Sequence, residues 1–259
     1  MDIPTQDLAQ RLLRAERERA PIQPLSEVYP SLTAEQSYAI QTAWLQLKQA
    51  EGARVIGHKI GLTSKAMQQQ LGVDQPDYGY LLDTMNVTSG SALAASQFIQ
   101  ARIEPEIAFW LAKDVRGPGV TADQVLAATR GVSASLELVD SRIANWRIAL
   151  VDTIADNASS ARMIVSEQVV PVEGFDLAQV ETVLTRNGEQ VGAGTGAAVL
   201  GHPAAAVAWL ANKLAEFDVA LLAGQVVLPG AMCASVTIAP GDTFEATFTV
   251  LGTVSVSFH

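Results

Sequence analysis

The sequence of 259 residues has a single cysteine, Cys233. One cysteine cannot close an internal disulfide, and a cysteine-rich zinc site is excluded, so a reducing cytoplasm is the expected setting. Cys233 sits in the apolar run Ala231-Met232-Cys233-Ala234 and reads as a small buried hydrophobe rather than a nucleophile. Positive charge is also scarce. Lys and Arg number 17 against 27 Asp and Glu, giving a net charge of -10 and a pI near 4.7. Nucleic acid is thereby an unsuitable partner, because phosphate binding needs clustered cations. Small anionic substrates stay possible, since a local metal or cation can reverse the field. No apolar run approaches the ~18 residues of a membrane span. The start, Met1-Asp2-Ile3-Pro4, lacks the basic and apolar regions of a signal peptide. Neither an internal repeat nor a low-complexity segment is visible. What is present is apolar residue, 49% against 17% charged, which predicts a sizeable buried core.

Residues 1–54 read as a helical segment. Leu8, Leu12 and Ala15 share a helix face, and Thr33 with Gln36 forms a capping box ahead of Ile40, Ala43, Trp44 and Leu47. From 55 to 259 the texture is that of a β-rich core. Short strands are predicted over 55–60, 103–111 and 133–139, with a short helix capped by Thr121 and Gln124 between the last two. Asn187-Gly188 predicts a two-residue hairpin. Pro203 opens an amphipathic helix carrying Val207, Leu210, Leu214 and Phe217. Alternation returns over 243–250 and 254–258. Strands follow one another without regular βαβ alternation, so the fold class is α+β with an antiparallel or mixed sheet.

The segment Arg102-Ile103-Glu104-Pro105-Glu106-Ile107-Ala108-Phe109 carries the chemistry. On a strand, Glu104 and Glu106 face the same way, about 6.5 Å apart at Cα, while the apolar residues face a core. Two carboxylates about 4 Å apart repel by about 4 kcal/mol at an effective dielectric of 20. Solvent, a proton or a cation relieves that, and hard divalent cations prefer oxygen ligands. A strand with one wet face would show the same spacing. Glu137 is a lone acid in the apolar run 133–139, and buried charge requires a partner. Metal ligation and an ion pair with Arg142 or Arg102 both satisfy it.

Gly57-His58-Lys59-Ile60-Gly61-Leu62-Thr63-Ser64 resembles the Gly-x-Lys-x-Gly-Leu-Thr-Ser signature of the 2-keto-4-pentenoate hydratase and 4-oxalocrotonate decarboxylase family, a branch of the fumarylacetoacetate hydrolase fold. The resemblance continues through Pro76-Asp77-Tyr78-Gly79, the Glu104 and Glu106 segment, Leu136 to Arg142, Ala155 to Ser160, Gly201-His202-Pro203, Pro240-Gly241-Asp242 and Leu251-Gly252. It implies a mixed β-sandwich or roll with an N-terminal helical part, acting as a homo-oligomer that can associate with neighbouring pathway enzymes. It also implies a Mg²⁺ or Mn²⁺ site on Glu104, Glu106 and Glu137, with Lys59 in the active site. The expected substrate is a small 2-oxo acid whose carboxylate and C2 oxygen chelate the metal.

Other roles are expectations of the same reading. Asp77 is a candidate general acid or base, or a turn residue. Leu62 and Ser64 precede a short helix expected over 65–71, whose N–H groups suit a carboxylate; capping alone would also explain Thr63 and Ser64. Asp156, Asn157 and Ser160 either bind substrate or cap a loop. His58 should point away from Lys59 in a structural role, and His202 should serve helix entry. The predicted reaction is hydration of 2-hydroxypenta-2,4-dienoate to 4-hydroxy-2-oxopentanoate. Rivals are a 4-oxalocrotonate decarboxylase, a 2-oxohept-4-ene-1,7-dioate hydratase and a non-catalytic partner subunit. Asp77 before Tyr78 favours hydration, since an apolar residue is expected there in a decarboxylase.

Overall fold

The computed structural model describes residues 3–64, 68, 73 and 75–259. The helix expected over 65–71 therefore lies outside the described residues, apart from Gln68. The helices Thr5–Glu18 and Ala34–Ala50 pack against each other through Leu8, Leu12, Ile40 and Trp44. Thr33 caps the second with the full reciprocal box, its side chain accepting from Gln36 N and its N–H donating to the Gln36 side chain.

The remaining chain forms two sheets. The strands are β1 (Val55–Gly61), β2 (Asp77–Leu82), β3 (Asn86–Thr88), β4 (Ala92–Leu93), β5 (Arg102–Leu111), β6 (Thr129–Val139) and β7 (Ser160–Val165). They continue with β8 (Glu181–Arg186), β9 (Glu189–Thr195), β10 (Val226–Leu228), β11 (Val236–Thr237), β12 (Thr243–Phe248) and β13 (Gly252–Phe258). The larger sheet runs β2-β1-β10-β5-β6-β7-β3, with β11 on β5, and the smaller runs β4-β13-β12-β8-β9. Parallel pairs, β1 with β10 and β3 with β7, sit among antiparallel ones. The architecture is α+β with mixed sheets and an N-terminal helical part.

Local chemistry explains most boundaries. Asn187 and Gly188 both take positive φ between β8 and β9, as a type I′ turn requires. The helix Pro203–Ala215 starts on His202, whose Nδ1 accepts from Ala204 N. Phe217, expected on that helix, lies beyond its end and is exposed. The strand expected over 243–250 stops at Phe248, because Val250 turns at φ 70.

The two faces of the larger sheet differ. One packs Ile103, Ile107, Phe109, Leu136 and Leu138 against the helix Pro203–Ala215 and the smaller sheet. The other carries a second apolar cluster of Leu81, Ala108, Met163, Val165, Val226 and Leu228. That second face is the one onto which Glu104 and Glu106 project by strand alternation. It is interior rather than wet: Glu106 and Glu137 are fully buried.

Candidate active site

Glu104 and Glu137 are directly opposite each other in the β5–β6 ladder, and Glu106 lies opposite Ser135. Like charges at facing positions destabilise a sheet pair. Here one carboxylate oxygen from each of Glu104, Glu106 and Glu137 lies within 4.8 Å of the others. At that separation each ionised pair repels by about 3.5 kcal/mol with an effective dielectric of 20. Protein donors do little to relieve it. Gly230 N donates to Glu106 Oε2 at 2.8 Å. Glu106 Oε1 is buried without a hydrogen-bond donor, and Glu137 is met by Lys59 Nζ at 3.3 Å and by Ser160. Three converging carboxylates with unused lone pairs form a donor set that fits a hard divalent cation.

Burial, reinforced by Glu137, pushes Glu104 up to about 7. Burial also raises Glu106 strongly, with Glu137 and Glu104 adding to the effect. Glu137 is raised by burial, opposed chiefly by Lys59.

Lys59 supplies the local cation. It projects from β1 and is almost fully buried. Its Nζ pairs with Glu137 Oε2 at 3.3 Å and donates to Ala158 O at 3.1 Å. Burial works against the ammonium, but Glu137, Asp77, Glu104 and Glu106 outweigh it and raise its pKa above the ordinary lysine value. Gly57, two residues earlier, is required by close packing: a Cβ there would meet Val226 O at 1.8 Å.

Asp77 begins β2, opposite Gly61 in the ladder. Its Oδ2 accepts from Thr153 Oγ1 at 2.8 Å, while Oδ1 is buried without a donor. A Cβ on Gly61 would lie 2.2 Å from Asp77 Oδ1 and 3.4 Å from Lys59 Nζ. The missing side chain is therefore the space shared by the carboxyl and the ammonium. Burial raises Asp77, and Lys59 pulls it back.

The other candidates divide by what their polar atoms touch. Asp156 is buried against Arg142, accepting from its Nε and from its main-chain N, with Ser141 and Ser159 also donating to it. The Asn157 amide is spent on β2, accepting from Tyr80 N at 2.8 Å and donating to Tyr80 O at 3.0 Å. These bonds hold Asn157, Ala158 and Ser159 in three successive left-handed conformations, each costing about 1–3 kcal/mol outside glycine. The turn aims Ala158 O at Lys59. Ser160 is buried, with Oγ 4.0 Å from Met85 Sδ, and helps hold down the Glu137 pKa.

Leu62, at φ 57, and half-buried Ser64 follow β1 directly. His58 faces away from Lys59 against the Tyr80 ring, its centroid 5.1 Å away, and burial lowers it to about 4. Cys233 is half-buried, and burial raises its thiol to about 11. Sequence reasoning missed Thr153, the Ala158 carbonyl and the Gly230 N–H. Two of these act through the main chain and carry no side-chain signal.

Residues 55–258 match the family profile described as fumarylacetoacetate (FAA) hydrolase C-terminal. The chain belongs to the fumarylacetoacetate hydrolase family. It is 46% identical to a 2-hydroxyhexa-2,4-dienoate hydratase of Comamonas testosteroni, covering 96% of this chain and 95% of the relative. A 2-keto-4-pentenoate hydratase of Paraburkholderia xenovorans (strain LB400) is 41% identical over 98% and 94% of the two chains. Among solved structures, the 4-oxalocrotonate decarboxylase from Pseudomonas putida G7, complexed with magnesium and adipate, superposes with a TM-score of 0.96. It is 37% identical, with 98% of this chain and 97% of that one covered. Within the fumarylacetoacetate hydrolase family, the protein is thus an enzyme of the hydratase and decarboxylase branch, a group of lyases of aromatic meta-cleavage catabolism. Among the described residues, no helix is long and apolar enough to cross a membrane.

Proposed function

We propose that this enzyme adds water to 2-hydroxypenta-2,4-dienoate, giving 4-hydroxy-2-oxopentanoate, with Mg²⁺ or Mn²⁺ on Glu104, Glu106 and Glu137. When bound, such a cation supplies Lewis-acid stabilisation of negative charge on the substrate's carboxylate and C2 oxygen. The net reaction transfers the enol proton away from O2, places one proton on C5 and another on C3, and forms a bond from water oxygen to C4. Lys59 is the buried cation beside Glu137, and it moves the proton. Asp77 takes the water proton through Oδ1, as a general base must lie within hydrogen-bond reach of the proton it removes.

The observation that carries hydration over decarboxylation is the buried Asp77 carboxyl, whose Oδ1 lines the Gly61 gap across from Lys59. Decarboxylation needs the remote carboxylate to leave as neutral CO₂, which apolar surroundings favour. A protein carboxyl in that space instead offers an acceptor for water and repels a second carboxylate of the substrate. The two hydratase relatives support the same reading.

The test supplies the purified protein, with Mg²⁺, with the pentadienoate, the six-carbon hexadienoate and 4-oxalocrotonate in parallel. Hydroxylated product and CO₂ are both quantified. Hydroxylated product from the pentadienoate, with little CO₂ from 4-oxalocrotonate, is expected. Rapid CO₂ release without hydration would replace this reading with the decarboxylase. Hydration confined to the hexadienoate would keep the reaction and change the substrate.

A further inference from the structure

The hydration reading turns on which oxygen of Asp77 faces the site, and the structure shows what decides it. A carboxyl free to turn about its Cβ–Cγ bond presents either oxygen. In this protein Thr153 Oγ1 occupies Oδ2 at 2.8 Å and leaves Oδ1 toward Lys59. Thr153 is nearly buried in the helix Leu150–Ala155. Immediately beside each partner lies a main-chain carbonyl: Tyr78 O next to Asp77, and Ile154 O next to Thr153. One side chain bonds both. Gln41 Nε2, from the helix Ala34–Ala50, donates to Tyr78 O at 2.8 Å and to Ile154 O at 3.0 Å.

We propose that Thr153 and Gln41 are positioning residues that form a clamp on Asp77. Thr153 selects the oxygen that faces the substrate, and Gln41 fixes the spacing between the strand that carries the acceptor and the helix that carries the donor. This inference rests on Asp77 as the group that handles water. Gln41 is fully buried, and its Oε1 has no donor. An unsatisfied buried amide oxygen is a cost to the fold. It is accepted here in the residue whose amide N–H groups go to the main chain beside Asp77 and beside Thr153. The N-terminal helical segment thereby reaches the reacting centre without touching substrate.

The test is a double-mutant cycle, because residues acting through one another lose additivity. Steady-state hydration of 2-hydroxypenta-2,4-dienoate with saturating Mg²⁺ is measured for Thr153→Val, Thr153→Ser, Gln41→Met, Asp77→Asn and Thr153→Val with Asp77→Asn. Mn²⁺ affinity and Tm are recorded for each. Thr153→Val should lower kcat by about tenfold or more, leaving KM and Mn²⁺ affinity within about twofold. Thr153→Ser, which keeps the hydroxyl, should return to within about threefold of wild type. The double variant should be no slower than Asp77→Asn alone. Gln41→Met should lower kcat in the same direction; should it fail to fold, the Thr153 series decides. Wild-type kcat in Thr153→Val beside an inactive Asp77→Asn overturns the clamp and leaves the hydration reading standing. Losses that multiply in the double variant, or a Thr153→Val effect confined to Tm, also overturn it. Full activity in Asp77→Asn, or no hydration by the wild-type enzyme, removes the hydration reading itself.

Discussion

Removing the metal with a chelator and scanning pH should expose the cost of packing three glutamates together. In the metal-free protein, burial and the facing Glu137 hold Glu104 at about 7 instead of 4.5. At 1.36 kcal/mol per pH unit, that displacement corresponds to about 3 kcal/mol. Glu104 keeps partial contact with solvent, and screening reduces the figure to on the order of 1–2 kcal/mol. The sign follows from linkage. The folded pKa is raised, so its contribution is fully present below about 4.5 and is lost as pH rises through about 7. Glu106 and Glu137 are raised by the same burial and act in the same direction. For a chain of this size the Glu104 share is a fall in Tm of about 2–8 °C. Saturating Mg²⁺ replaces the protons, since ligands bind metal deprotonated, and at about 100 times its Kd adds about 2.7 kcal/mol. Thermal melts from pH 5 to pH 8.5, in chelator and in Mg²⁺, should therefore diverge toward high pH. Glu104→Gln in chelator should flatten the decline. Superimposable curves with and without metal, or an unchanged decline in Glu104→Gln, would refute the reasoning.

Lys59→Met should cut kcat by at least about a hundredfold while Mn²⁺ still binds, measured by steady-state kinetics and calorimetry; wild-type turnover would remove Lys59 from the chemistry. Gly61→Ala should cost most of the activity with little change in metal affinity, because the new Cβ would fall 2.2 Å from Asp77 Oδ1 and drive the carboxyl out of the gap. Arg142→Met should destabilise the protein by about 3–5 kcal/mol in urea titration, since it strands buried Asp156; a loss under about 1 kcal/mol would show that the pair contributes little.

The elements legible in the sequence are those with a local cause. Thr33 with Gln36, Thr121 with Gln124, Asn187 with Gly188, and Pro203 after His202 each fix their element through contacts within four residues. β10 gave no such sign. It is three residues long, buried on both faces, and inserted between β1 and β5, so its existence depends on partners far away in the chain. β2 follows a segment containing Pro76 and opens on Asp77, which reads equally well as a turn. Only its pairing with β1, register Gly61 opposite Asp77, turns that residue inward.

The same distinction separates the site residues. Alternation places Glu104 and Glu106 on one face, but it cannot say whether that face meets water or a second apolar cluster. Only the curl of the sheet, bringing Met163 and Leu228 over the same face, settles this. Polar residues in an apolar run are ambiguous for a comparable reason. Asp156, Asn157 and Ser160 are buried alike, and burial requires that each find a partner. Asp156 finds Arg142, and Asn157 finds the β2 main chain. Asp77 is the contrasting case. One of its oxygens is satisfied by the Thr153 side chain, and the other finds no side-chain donor in the Gly61 gap near Lys59. A fold gains nothing by leaving that acceptor unpaired. Glu106, beside Glu104 and Glu137, likewise keeps a buried oxygen without a donor, in the cluster whose carboxylates could hold a metal ion.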